Sequence, residues 1–144
     1  MVNKMNNLQV FMNQKKIAID NSIVIDFTDD CHKQLKDFFD LSNNSYLLRH
    51  EITYLSEKAD IAINISQQIE IYILFKDFVY LDDDILSSKI VRRFIKKYPT
   101  LASSYELISP MKLNFKNSNI VWDSLSFIYD AKQAALTLLI TASI

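Results

Sequence analysis

The chain has 144 residues, 49% of them hydrophobic, and sixteen Lys and Arg against seventeen Asp and Glu give a net charge of −1; one domain with a full core fits, and no global field holds it on nucleic acid or an anionic membrane. Average usage predicts about ten glycines at this length, and there are none. Phosphate cradles and sharp nucleophile turns need glycine for close backbone approach and positive φ, which excludes the Walker A loop, the G-x-G-x-x-G fingerprint, the kinase Gly-rich loop, the G-x-S-x-G elbow and the KH clamp.

In chain order, Val10, Ile17, Ile19, Ile23, Ile25 and Phe27 fall mostly at alternating positions around Asp20-Asn21-Ser22, which predicts a β-hairpin with Asp26 turned away from the core. Without glycine, positive-φ positions pass to asparagine, and Asn21, Asn43, Asn44, Asn117 and Asn119 stand where turns are wanted. Thr28 is placed to cap a helix with Asp29 and Asp30 in its first turn and Cys31, Leu35, Phe38 and Phe39 on one face, ending near Leu41. Leu48, Ile52, Leu55 and Ala59 have helical spacing while Ile52-Thr53-Tyr54-Leu55 is rich in strand formers; we assign a strand over 51–56, turning at Glu57-Lys58-Ala59 into the alternating isoleucines of 61–65 and 69–75. Asp83 or Asp84 then caps a helix with Leu86, Ile90, Phe94 and Tyr98 at four-residue steps, stopped by Pro99. Thr100 opens a short helix with Leu101, Tyr105 and Ile108 on one side, closed by Pro110. The remainder returns to strands at 113–115, 121–129 and 136–144. Strand runs with one buried face, broken by a few helices, imply a single α+β domain: an antiparallel sheet with two to three helices packed on it.

Chemistry-bearing residues are sparse. Cys31 is the sole cysteine, which excludes an intramolecular disulfide and points to a reducing, cytoplasmic setting. Residues 134–144 form the longest apolar run, about half of what a spanning helix needs, so no membrane partner is expected. Cys31-His32 with His50 is a thin ligand set on diverging helical directions, and no metal or other cofactor is expected. Arg92, Arg93, Lys96 and Lys97 make the best nucleic-acid candidate, but the interleaved Phe94 and Tyr98 belong to the buried face and are unavailable for stacking on bases, so nucleic acid is disfavoured as the principal partner. Trp122 fits either the core or an interface. The acidic groups Asp26, Asp29, Asp30 and Asp82, Asp83, Asp84 each follow a strand and precede a helix. With those helices side by side, the two groups would share one edge and form an anionic patch beside Tyr80, suited to a basic protein partner.

The stretch 85–144, a helix followed by strands at 112–115, 121–129 and 136–144, resembles small bacterial immunity proteins, including those paired with contact-dependent growth-inhibition toxins. The resemblance implies a cytosolic, non-enzymatic domain that binds one toxin, a nuclease or similar, and blocks it without chemistry. Two other readings stand beside it: a nucleic-acid-binding regulator using residues 92–97, and a viral or phage protein that engages a host component.

Overall fold

The computed structural model describes residues 7–20, 22–28, 30–49, 51–75, 80–101, 104–116 and 119–144. Sheet dominates, with 51% of the described residues in strands and 17% in helices. In chain order the elements are β1 (Leu8–Val10), β2 (Lys16–Ile19), β3 (Ile23–Asp26), α1 (His32–Phe38), β4 (Phe39–Ser42), β5 (Ser45–Leu48), β6 (Ile52–Tyr54), β7 (Glu57–Ile65), β8 (Gln68–Phe75), α2 (Lys89–Lys97), β9 (Tyr105–Ser109), β10 (Lys112–Phe115), β11 (Ser124–Asp130) and β12 (Ala135–Ser143), with 3₁₀ turns at Ile85–Ser87 and Pro99–Leu101.

Nine strands form one antiparallel sheet in the order β4-β5-β7-β8-β12-β11-β10-β9, with β6 paired beside β5 along β7. The period-two isoleucines set its register: Ile61 faces Ile73 and Ile63 faces Ile71 across β7 and β8, while Leu138 and Ile140 face Ile73 and Ile71 across β12 and β8. Those side chains, with Phe127, Leu125 and Leu113, are fully buried on one face. The small sheet β1-β2-β3 and both helices cover that face, since Ile17, Ile25, Leu35, Val91 and Phe94 join the same apolar cluster. Phe94 sits at its centre, with ring centroids 5.2 Å from both Phe115 and Phe127, a geometry that favours edge-to-face contacts. Trp122 belongs to this core: it is buried, lies edge-on to Phe27 and donates its indole N–H to the Phe11 carbonyl at 2.6 Å.

Several boundaries differ from the sequence reading, each for a local reason. The first helix starts at His32, because Thr28 spends its hydroxyl on Asp26, and Asp30 accepts the His32 N–H instead. Phe39 leaves that helix and opens β4, whose pairing with β5 turns on Asn43 and Asn44, both at positive φ. Asp20, Leu55, Ser56 and Ala134 are also at positive φ, so asparagine does not take all such positions; Asn119 takes none, and Asn21 and Asn117 lie outside the described residues. The turn between β6 and β7 falls on Leu55-Ser56, two residues before the expected site, and Glu57, Lys58 and Ala59 are already strand. Left-handed conformations cost a leucine roughly 1–2 kcal/mol; here Arg93 holds the turn by donating to Leu55 O at 3.1 Å and Glu57 Oε1 at 3.0 Å. The second helix is split: Asp84 caps only the 3₁₀ turn, and Ser88, buried, caps α2 through the Ile90 and Val91 N–H groups. The short helix expected after Thr100 shrinks to one 3₁₀ turn, and residues 105–109 are strand β9 at the edge of the sheet.

Candidate functional site

The two acidic groups do not share an edge. Asp82, Asp83 and Asp84 lead into the 3₁₀ turn whose Ile85 N–H donates to Pro110 O at 2.8 Å. That is the end of the sheet where Phe75 pairs with Leu136 and Asp130 with Ala135. Asp26 lies in β3, next to Phe27 on Trp122, just before β11 begins at Ser124. That is the end where Ser124 pairs with Thr141 and Ser143 with Gln68. Strand rise over β8 separates the two ends by about 24 Å. The expected single anionic patch beside Tyr80 is therefore corrected to two separate acidic positions, because the segments that lead into α1 and α2 lie at opposite ends of the sheet.

Three of these aspartates also have local work. Asp26 accepts from the Thr28 hydroxyl at 2.6 Å and the Thr28 N–H at 3.0 Å, and these bonds hold its carboxyl below the usual range. Asp30 accepts the His32 N–H, and Asp84 accepts the Leu86 N–H; Asp29 lies outside the described residues. Tyr80 and Asp82 line a cleft of about 340 Å³, but Lys58, Lys89 and Arg92 line it as well, with Glu57. The surroundings of Tyr80 are thus of mixed charge.

Other candidate groups take bland positions. Cys31 is buried, and burial pushes its thiol up. His32 is exposed, with Nδ1 2.8 Å from the Tyr46 hydroxyl; His50 lies outside the described residues. Among the described residues, no group of three or more His, Cys, Asp and Glu is close enough to hold a metal ion, and no helix is long and apolar enough to cross a membrane. Tyr54 is buried against Tyr98, hydroxyl to hydroxyl at 3.1 Å, and Tyr98 donates on to Val10 O. Burial, reinforced by the neighbouring phenol, pushes Tyr54 well above the ordinary tyrosine range.

Two surfaces stand out once these groups are set aside. The first is β9, which sequence spacing assigned to a helix. All five of its residues are exposed. Four of the eleven exposed large apolar side chains among the described residues, Tyr105, Leu107, Ile108 and Met111, fall within the seven positions 105–111. Lys116 donates its N–H to Ser104 O, and hydrogen-bonded pairs alternate along an antiparallel ladder. The facing pair Glu106 and Asn114 is then hydrogen-bonded, whereas Tyr105 and Leu107 direct their backbone N–H and C=O groups to the open edge. The signal that could have found this strand is Ser109-Pro110, a turn pair directly before the alternating Leu113 and Phe115.

The second surface is α2. Its buried side is Ile90, Val91 and Phe94, and its outer side is Lys89, Arg92, Arg93, Lys96 and Lys97. Comparison of the chain with protein-family models, with curated proteins and with solved structures found no match.

Proposed function

We propose that this chain is a non-enzymatic protein-binding domain of the immunity type, which occupies a cognate toxin domain through its surface and blocks it without chemistry. The observation that carries the reading is β9. An edge strand in a soluble protein is ordinarily short, bulged, charged or covered, because its unpaired backbone invites other strands. This one has a bulge at Ile108 but still presents Tyr105, Leu107 and Ile108, with the backbone of Tyr105 and Leu107 facing outward. Its only charge is Glu106, already paired with Lys116. An extended segment of the partner can add to that edge by main-chain hydrogen bonds while its side chains meet the apolar row. Asp82, Asp83 and Asp84, joined to the β9–β10 turn through Ile85 and Pro110, stand at one end of the same edge and favour a partner with basic residues there. Asp26 and Asp30, at the far end of the sheet, fall outside this surface.

The test is calorimetric titration of the chain with the product of the reading frame next to its own gene, with Leu107→Pro and Ile108→Lys as variants. Proline at 107 removes a donor that faces outward and spares the ladder to β10. Tight binding that both variants weaken at least a hundredfold is expected. Absence of binding, or binding indifferent to both variants, overturns the reading.

A further inference from the structure

We propose that α2 carries a second contact surface, independent of β9, which binds the phosphate backbone of a nucleic acid without reading its sequence. The helix holds five cations and no carboxylate in nine residues. Removing those five from the sixteen in the chain leaves eleven against seventeen carboxylates elsewhere, so positive charge is concentrated on this one element. The structure also sorts the five. Arg93 is tied to Glu57 and Leu55 O, and Lys97 lies over the rings of Tyr54 and Tyr98 at 5.5 and 5.9 Å. Lys89, Arg92 and Lys96 have no carboxylate partner among the described residues, although acidic side chains outnumber basic ones over the whole chain.

Those three lie three and four residues apart, so they project from one face of the helix. They span about 10.5 Å along its axis at 1.5 Å per residue. Lys58 on β7 lines the same cleft as Lys89 and Arg92, together with Glu57 and Asp82, and lies 4.0 Å from Glu51. Three cations in so short a line call for a partner with closely and regularly spaced charge. A nucleic-acid backbone offers that in every register, whereas protein carboxylates reach it only in particular sequences. Phe94, the ring within α2, is buried at the centre of the core, so the helix itself offers no ring to stack on a base and contributes position without sequence preference. The acidic remainder of the molecule limits the footprint to about three phosphates, and binding is correspondingly weak and salt-sensitive.

Fluorescence anisotropy with a labelled 20-nucleotide oligo-dT strand and a labelled 20-base-pair duplex tests this on the full chain. A Kd on the order of 10–100 µM at 50 mM salt is expected for at least one probe, weakening about 20- to 40-fold by 200 mM as three counterions are released. Arg92→Glu with Lys96→Glu should reduce affinity at least tenfold, while Lys132→Glu, on the exposed turn after β11, should leave it within twofold. Circular dichroism melts of all variants confirm that each is folded. No anisotropy change at 50 mM salt, loss of affinity equally in the Lys132 variant, or binding only to vesicles containing 30% anionic lipid would each overturn the proposal. Binding to the adjoining gene's product plays no part in this measurement, so either reading can fail alone.

Discussion

The large sheet ends in two edges that are built differently. β4 has four residues, begins on the buried Phe39 and carries Asp40, which accepts from Arg49 Nε at 2.8 Å. Arg49 also donates to the carbonyls of Asp37 and Lys36 at the end of α1, which lies beside that edge. Short length, charge and an adjacent helix are the usual protections of an edge strand. β9 has a bulge at Ile108, between Leu107 and Ser109 that face Leu113 and Lys112, but its exposed apolar side chains are Tyr105, Leu107 and Ile108. One sheet thus has a guarded edge and an apolar one. That contrast between the two edges is the ground on which the open edge is proposed as a contact surface.

The largest expected effect comes from Phe94, because that ring packs on Phe115, whose cross-strand partner is Tyr105. Phe94→Ala should cost about 3–5 kcal/mol in urea denaturation. Hydrogen exchange should rise first in 105–115 and leave 39–48 nearly unchanged, and equal loosening of both edges would break the proposed asymmetry. Ser88→Ala removes the cap from the Ile90 and Val91 N–H groups and should cost about 1–2 kcal/mol, with protection lost at the start of α2, the helix that roofs the β9 side.

How much of this was legible in the sequence follows from which residues reach the core. The isoleucines of β7 and β8 alternate because one face of the sheet is buried and the other is not, so their period read directly as strand. The basic end of the second helix and its buried Ile90 and Phe94 were likewise visible at four-residue spacing. β9 was not, because none of its five residues is buried and Leu101, Tyr105 and Ile108 happen to fall at helical intervals; an edge strand has one pairing neighbour and leaves a weaker pattern. Asp30 and Asp84 lie at element starts, whereas Asp26 ends β3; the separation of the acidic groups depends on strand order, which no local spacing encodes. β4 and β5 were missed because Phe39 ends one apolar helical face and starts a strand with no break in composition between them.

A further contrast joins β1, β6 and α2, all on the covered face. Tyr54 and Tyr98 link them through their hydroxyls, and both phenols are raised above their ordinary range, chiefly by burial. The folded state therefore keeps its phenolic protons where the unfolded chain, with a pKa of about 10, releases them. Stability is fully present below pH ~10 and declines as pH rises toward the folded values. Tyr54→Phe should lose about 1 kcal/mol at pH 7 with the hydrogen bond, and its stability should fall less steeply between pH 9.5 and 11 than that of the parent. A parallel fall in both proteins would place the alkaline sensitivity elsewhere.

The smallest effect discriminates best between the edges. Arg49 is half exposed and its pair with Asp40 is screened by solvent, so Arg49→Ala should cost no more than about 1 kcal/mol, and less in high salt. Its consequence is topological: the β4 backbone and the exposed Leu41 lose the side chain that ties Asp40 to the end of α1. Light scattering of the variant at millimolar concentration should then show association absent from the parent, suppressed by adding Leu41→Lys and not by Ile108→Lys. If Ile108→Lys suppresses it instead, β9 is the edge that associates in both proteins, and the protection assigned to β4 is not what keeps that side closed.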